Sequence, residues 1–182
     1  MGLDMYLRKY PKCGNDKKQN DAICGFVTWI KCEIETDFKC SYDDWCGHES
    51  TDLPDIKSLI NILEKYPVSS FNEEVAYWRK ANAIHKWFVD NVQDGIDDCL
   101  SHRPVTKDDL VKLKELCYEV LKDHSLAEKL LPTSSGFFFG SLDYDEDGYF
   151  AKIEYTAEIC KELTDDDGFD FENYDLYYES SW

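Results

Sequence analysis

Five residues between positions 143 and 154 have the types and the spacing of an EF-hand calcium-binding loop. Gly148 stands at the sixth loop position, where the backbone turns sharply, and carboxylates stand at positions 1, 3, 5 and 12. These candidate metal ligands are Asp143, Asp145, Asp147 and Glu154. Because calcium is bound by oxygen ligands, the pattern makes calcium binding one hypothesis for this protein.

The segment before this pattern does not favour an EF-hand. The loop of an EF-hand follows a helix, whereas residues 132–142 read PTSSGFFFGSL and contain one proline and two glycines. Asp145, Glu146 and Asp147 also stand at the start of a helix predicted over about residues 149–163, where negative charge complements the helix dipole. We therefore expect no cofactor and keep a calcium- or metal-binding regulatory protein as the alternative.

Cysteine and histidine residues form a second group whose types suit metal binding. Cys24, Cys32, Cys40, Cys46 and His48 follow one another closely in the sequence. Structural zinc sites usually contain pairs of cysteines separated by two to four residues, and this segment has no such pair. Ordinary buried or loop thiols are therefore favoured over a zinc site.

Nucleophilic catalysis would need a pair such as Cys99 with His85 or His102. No Gly-rich oxyanion turn, phosphate-binding loop or dinucleotide-binding fingerprint accompanies these residues. His85 shares a predicted helix with Trp78 and Phe88, where a packing role is favoured. We therefore predict that the protein is not an enzyme, with an uncharacterised enzyme as the second alternative.

Negative charge is the dominant property of the chain. Its 182 residues carry a net charge of −18. Residues 143–182 contain 14 acidic residues and two lysines, which gives −12 for that segment alone. A field of this sign repels nucleic acid and anionic membranes and attracts basic surfaces. We therefore predict a basic protein partner, with no direct binding of nucleic acid or membrane.

Aromatic residues are interleaved with the acids at the end of the sequence. An acidic C-terminal segment is often a solvated, partly disordered tail, and that interpretation stays open. Large aromatic side chains, however, often anchor protein interfaces. Carboxylates in such a segment can occupy a basic groove that otherwise binds a phosphate backbone, whose charges recur about every 3.4 Å along each strand. The predicted partner-binding residues are Asp165, Asp166, Asp167, Phe169, Asp170, Glu172, Tyr174, Asp175, Tyr177, Glu179 and Trp182.

These residues must be positioned by a mixture of strands and helices. Alternating apolar and polar residues predict strands near 2–9 and 23–36, and the aromatic run between two glycines predicts a third near 136–140. Helical spacing predicts helices over about 56–63 and 106–121, and Thr106 with Asp109 resembles a capping box at the start of the second.

A longer helix is predicted from a capping box at Ser70 and Glu73 to about Gly95. The expected fold is therefore α+β, with a small antiparallel sheet packed by three to five helices. We predict a single domain at 1–163, followed by an acidic, aromatic-rich C-terminal tail at 164–182.

The sequence also bears on the compartment. The first residues do not have the charged and apolar regions of a secretory signal. No apolar run reaches the roughly 18 residues that span a bilayer. We therefore expect a cytoplasmic protein whose eight cysteines are reduced thiols.

Three segments together resemble a known family: MGLDMYL at 1–7, AYWRKANAIHKWFVDNVQDGIDDC at 76–99 and LLPTSSGFFFGSLDYDE at 130–146. The family consists of small proteins from phages and mobile elements of Firmicutes, and it includes type II-A anti-CRISPR proteins. The full calcium-loop spacing and the segment after Leu163 depart from the family pattern, so a function located there is not implied by the resemblance.

The resemblance implies an inhibitor that binds a type II RNA-guided DNA endonuclease, the CRISPR effector, in its guide-RNA-loaded form. The inhibitor would act in the bacterial host cytoplasm and block DNA engagement or cleavage. The acidic composition adds mimicry of DNA as the expected mechanism.

Overall fold

The computed structural model describes residues 2–35, 52–99 and 103–182. In these ranges three strands form one antiparallel sheet with the order β2-β1-β3. The strands are β1 (Asp4–Pro11), β2 (Glu73–Arg79) and β3 (Tyr174–Ser181).

Helices account for most of the remaining described chain. They are α1 (Lys17–Glu35), α2 (Ile56–Lys65), α3 (Asn82–Val92), α4 (Lys107–Lys122), α5 (Ala127–Leu130) and α6 (Ala151–Thr164). Short 3-10 turns occupy Val68–Ser70 and His124–Leu126, and a π-helical turn at Glu146–Phe150 leads into α6. The α+β class with a small antiparallel sheet is therefore confirmed.

Two of the three predicted strands are wrong. Residues 23–35 lie in α1, where Ile23 and Val27, one helical turn apart, are both fully buried. The spacing of four residues between them outweighs the alternation that suggested a strand near 23–36. The predicted strand near 136–140 is a turn, in which Phe139 N donates to Gly136 O at 3.2 Å.

The predicted long helix from Ser70 is wrong in its first part, because β2 replaces it there. Ala76 and Trp78 are buried whereas Tyr77 and Arg79 are exposed, which is the alternation of a strand. Lys80 then adopts a left-handed φ of 54°, which ends the strand before α3 begins.

The segment predicted as a tail contributes a strand to the sheet. Leu176, Tyr178 and Ser180 of β3 point inward and are buried, whereas Tyr177 and Glu179 between them are partly exposed. Because β3 is hydrogen-bonded to β1, this part of the segment belongs to the folded structure.

The chain clusters into two compact units. The first contains residues 1–8, 74–172 and 176–182, and the second contains residues 9–73 and 173–175. In the first unit, buried residues of β1, β2, β3, α3, α4 and α6 form one core. The second unit has its own core around Ile23, Cys24, Val27, Tyr66 and Phe71.

The first turn of α4 is held by a reciprocal capping box. Thr106 Oγ1 accepts a hydrogen bond from Asp109 N at 3.1 Å, and the Asp109 carboxylate accepts one from Thr106 N at 3.0 Å. Arg103 Nη1 donates to the same carboxylate at 2.8 Å. Burial favours the neutral carboxyl, but these hydrogen bonds from Arg103 and Thr106 outweigh it and hold the pKa of Asp109 below its usual value.

Replacing Asp109 with asparagine is expected to lower the free energy of unfolding at pH 7 by about 2 kcal/mol, because the cap and a charge-assisted hydrogen bond are both lost. A carboxyl with a lowered folded pKa stabilises the protein above its unfolded pKa of about 3.9 and loses that contribution as the pH falls through the folded value. The difference between wild type and D109N should therefore shrink on acidification. Urea unfolding from pH 7 to pH 3 measures it.

Asp108 offers the matched control for this experiment, because it is an exposed aspartate in the same helical turn. D108N should change the stability by less than about 0.5 kcal/mol at every pH. An equal loss in both variants, or a loss in D109N that does not depend on pH, would contradict the assignment.

Candidate functional site

Carboxylates follow one exposed face of α6. Glu154, Glu158 and Glu162 are all exposed and are separated by four residues each. Residues four apart lie on the same side of a helix and are offset by about 6 Å along its axis. Together with Asp165, Asp166 and Asp167, which follow the helix and are also exposed, they form what we term the acidic ridge.

The opposite face of α6 holds the helix in the core of the first unit. Ile153, Ala157 and Cys160 are at most 1% exposed. Thr156 Oγ1 accepts a hydrogen bond from Trp78 Nε1 at 2.9 Å within this buried layer. The glutamates of the acidic ridge therefore project from a helix whose position is fixed by packing.

The aspartates of the acidic ridge occupy a tight turn directly after α6. Asp165 N donates to Lys161 O, and Gly168 N donates to Asp165 O, each at 3.0 Å. A side chain at Gly168 would bring its Cβ within 2.4 Å of Glu162 O, so this close approach requires glycine. The turn therefore fixes three successive carboxylates at the end of the helix.

Negative charge at this end of a helix is unfavourable for folding. The free carbonyl groups make the C-terminal end of a helix the negative pole of its dipole, and cations are preferred there. Asp165, Asp166 and Asp167 break this preference at the end of α6. Local rules of this kind are most often broken at functional sites, which makes the turn the most informative part of the ridge.

The other predicted partner-binding acids have different surroundings. Asp170 and Glu172 are exposed, and the Asp170 carboxylate accepts a hydrogen bond from Glu172 N at 3.1 Å. Asp175 forms an ion pair with Lys12 at 3.3 Å, and Glu179 forms one with Arg8 at 3.4 Å. These two ion-paired carboxylates therefore contribute to contacts within the fold.

The predicted aromatic anchors are largely integrated into the fold. Phe169 packs against the core of the first unit, and its ring lies 4.7 Å from that of Phe171. Tyr174 packs against the core of the second unit. Tyr177 is partly exposed. Trp182 is 46% exposed, and its indole N–H donates to the Asp97 carboxylate at 3.1 Å.

The candidate calcium ligands take part in local turns. Asp145 accepts a hydrogen bond from Tyr149 N at 2.8 Å and so caps the π-helical turn. Asp143 accepts one from Ser141 Oγ at 2.7 Å. Within the described ranges no three histidine, cysteine, aspartate or glutamate residues are grouped to hold a metal ion. Calcium binding through Asp143, Asp145, Asp147 and Glu154 stays a prediction.

Sequence reasoning missed the role of His85 in a buried polar network. His85 is 1% exposed, and its Nδ1 and Nε2 lie 2.7 Å from Tyr178 Oη and 3.1 Å from Asp97 Oδ2. Burial raises the pKa of Tyr178 well above its usual value, and the Asp97 carboxylate adds to that effect. No sequence signal joins these residues, because Tyr178 is 93 positions from His85 and no motif links His85 to Asp97.

Part of the cysteine and histidine hypotheses lies outside the described residues. This applies to Cys40, Cys46 and His48 of the zinc candidate and to His102 of the nucleophile candidate. Cys99 is described, and it is a partly buried free thiol.

Comparisons with protein-family models, curated proteins and solved structures found no match to this chain. The resemblance to phage and mobile-element proteins therefore stays a prediction. In the part of the chain that the structure describes, no helix has the length and apolar character needed to cross a membrane.

Proposed function

We propose that this protein is an inhibitor that binds a basic, nucleic-acid-binding surface of another protein through the acidic ridge. The partner that we propose is a guide-RNA-loaded type II CRISPR nuclease, whose DNA engagement or cleavage would be blocked in the bacterial cytoplasm. The protein contributes no catalytic step in this proposal. The choice of partner rests on the family resemblance, and the choice of surface rests on the structure.

The arrangement of Asp165, Asp166 and Asp167 is the observation that carries the proposal. These carboxylates are exposed, are fixed by the turn at Gly168 and oppose the dipole of α6. Charges that disfavour folding are expected at sites where they are needed for binding, and we therefore assign these three carboxylates to the binding surface.

The row of carboxylates in the acidic ridge supports competition with a nucleic-acid backbone. Glu154, Glu158 and Glu162 extend the row of carboxylates along α6. A basic groove that attracts phosphates also attracts carboxylates in a row, and the attraction weakens as salt is added. The inhibitor would therefore associate rapidly at low ionic strength and compete directly with DNA.

The test uses a variant in which Asp165, Asp166 and Asp167 are all replaced by asparagine. We expect it to bind the guide-RNA-loaded nuclease about tenfold more weakly at low salt, because three charges facing the partner are removed. The free energy of unfolding of the same variant should be higher than that of the wild type by about 1 kcal/mol, because the unfavourable interaction with the helix dipole is removed. Biolayer interferometry over a salt series and urea unfolding measure the two effects.

The matched control removes three exposed acids from α4 by the substitutions D108N, E115Q and E119Q. It changes the net charge by the same amount and should weaken binding by about twofold at most, through the overall field. Equal losses in the two triple variants would overturn the acidic ridge as the binding surface. Failure of the wild-type protein to bind the nuclease would overturn the proposed choice of partner.

A further inference from the structure

Two cysteines meet where the end of β1 leads into α1 in the second unit. Cys13 lies in the loop before α1, and Cys24 lies on the helix. The side chain of Asn20 holds this loop, because its Oδ1 accepts hydrogen bonds from Cys13 N at 2.7 Å and from Gly14 N at 2.9 Å. At Gly14 an added Cβ would lie 2.3 Å from Asn20 N, so the loop lies directly against the helix.

The two thiols lie close together and differ in exposure. Cys13 N is held by Asn20, one helical turn before Cys24, and the Cys24 thiol donates to Pro11 O, two residues before Cys13. Cys24 is 6% exposed and belongs to the core of the second unit, and its Sγ lies 3.6 Å from Pro11 O. Cys13 is partly exposed and packs against the same core. One thiol therefore reaches solvent while the other is buried behind it.

Their surroundings make the two thiols chemically different. The neighbouring Cys24 thiol lowers the pKa of Cys13, and the Cys13 backbone N–H and the nearby Lys65 ammonium lower it further against the effect of burial. The neighbouring Cys13 thiol and burial raise the pKa of Cys24. An accessible thiol that ionises easily, next to a buried thiol that does not, is the usual arrangement of a reactive dithiol.

A second pair of cysteines, in the first unit, shows the effect of burying both thiols. Cys117 and Cys160 are both fully buried in the core. Burial raises the pKa of Cys117 well above its usual value and raises that of Cys160 to about 12. Both thiols are therefore held in the unreactive protonated form, and the pair serves as an internal reference.

We propose that Cys13 and Cys24 form a redox site that a peroxide converts reversibly to a disulfide. The Cys13 thiolate attacks one oxygen of the peroxide, the O–O bond breaks, and Cys13 becomes a sulfenic acid while water or an alcohol leaves with a proton. The Cys24 sulfur, losing its proton, then attacks Cys13 Sγ, the S–O bond breaks, and water leaves as the S–S bond forms. The two thiols are oxidised by two electrons and the peroxide is reduced by two.

Such a bond would tie the loop to α1 at the place where Asn20 already holds it. In a reducing compartment the dithiol would be the resting form, and the disulfide would form during exposure to peroxide. Thiol reductants return it by exchange at the partly exposed Cys13 sulfur. The site is therefore proposed as a sensor of oxidising conditions, independent of what the acidic ridge binds.

Peptide mapping of the full chain tests the proposal. The protein is treated with a few equivalents of hydrogen peroxide, remaining thiols are alkylated, and digests are analysed without reduction by mass spectrometry. We expect a Cys13–Cys24 linked peptide as the main product and its loss after treatment with dithiothreitol. A bridge from Cys13 to any other cysteine, or no bridge while Cys13 stays reduced, would overturn the proposal.

Two variants separate the roles of the thiols. C24S should leave Cys13 oxidised to the sulfenic acid, which dimedone traps, whereas C13S should leave Cys24 reduced under the same treatment. C32S, which replaces another partly buried thiol of α1, should form the linked peptide as the wild type does.

Alkylation rates give a second measurement that needs no oxidant. At pH 7 iodoacetamide should modify Cys13 at least about tenfold faster than Cys32, because the thiolate is the reacting form. Equal rates at the two positions would overturn the proposal. Unchanged circular dichroism of C24S and C13S would establish that each variant is folded.

Discussion

Replacing Tyr178 with alanine is expected to lower the free energy of unfolding by about 4 kcal/mol. Tyr178 is 1% exposed, and its ring stacks on Phe88 with centroids 4.2 Å apart and an interplanar angle of 7°. Its hydroxyl is the hydrogen-bond partner of His85 Nδ1. The substitution therefore leaves a cavity in the core of the first unit and an unpaired, buried imidazole nitrogen. Urea unfolding followed by circular dichroism measures the loss.

Tyr177 supplies the matched control for this substitution. It is the same residue type, one position away on β3, but its side chain points to the other face and is partly exposed. Y177A should cost less than about 1 kcal/mol. The intermediate variant Y178F removes only the hydroxyl and should cost about 1–3 kcal/mol. Equal losses in Y178A and Y177A would contradict the inward position of Tyr178.

The buried position of Tyr178 in β3 affects the design of binding experiments. Removing residues 164–182 would delete β3 together with Tyr178, and folded domains are stable by only about 5–15 kcal/mol. A truncated chain that failed to bind a nuclease would therefore report loss of the fold. The asparagine substitutions in the acidic ridge avoid this problem, because they are expected to stabilise the protein.

Replacing Trp78 with alanine is the second substitution with a large expected effect, again a loss of about 4 kcal/mol. The indole is 3% exposed and lies 6.1 Å from the rings of both Phe88 and Tyr155. Its N–H donates to Thr156 Oγ1 and so joins β2 to α6. The loss of the ring removes packing under the acidic ridge as well as from the sheet. Urea unfolding followed by far-UV circular dichroism avoids the change in tryptophan fluorescence.

The neighbouring Tyr77 tests the strand directly. A helix through residues 70–95 would place Tyr77 and Trp78 on the same apolar face, so that both alanine variants would be costly. In β2 the two side chains point to opposite faces, and Tyr77 is 36% exposed with its hydroxyl on the Asp4 carboxylate. We therefore expect Y77A to cost less than about 1 kcal/mol. A similar loss in Y77A and W78A would support the helix instead.

The elements with strong local signals were predicted well from the sequence. The capping box at Thr106 and Asp109, followed by apolar residues at helical spacing, placed α4. The stripe beginning at Ile56 placed α2 in the same way. In these segments the information lies within one or two helical turns, so that no knowledge of distant partners is needed.

The errors occur where distant contacts decide the structure. The segment from Glu73 to Arg79 becomes a strand because β1 offers it hydrogen-bond partners, and no local pattern shows this. The same applies to β3, whose acidic sequence resembles a solvated tail when it is considered alone. The proximity of Cys13 to Cys24 likewise depends on how Asn20 folds the loop onto α1, which spacing alone does not reveal.

The position of β3 beside β1 has a consequence for how the protein folds. The two paired strands are separated in the chain by the whole of residues 12–173. When two strands this far apart in sequence pair, the chain between them must first close into a long loop, and the entropy of that loop is lost before the strand contacts stabilise it. Such pairing is therefore slower than the formation of helical segments of the same size. The helices can form early, whereas the complete three-stranded sheet must wait for the last strand. Until that strand docks, one edge of β1 is available for pairing with another chain, so the interval before docking is when aggregation is most favoured.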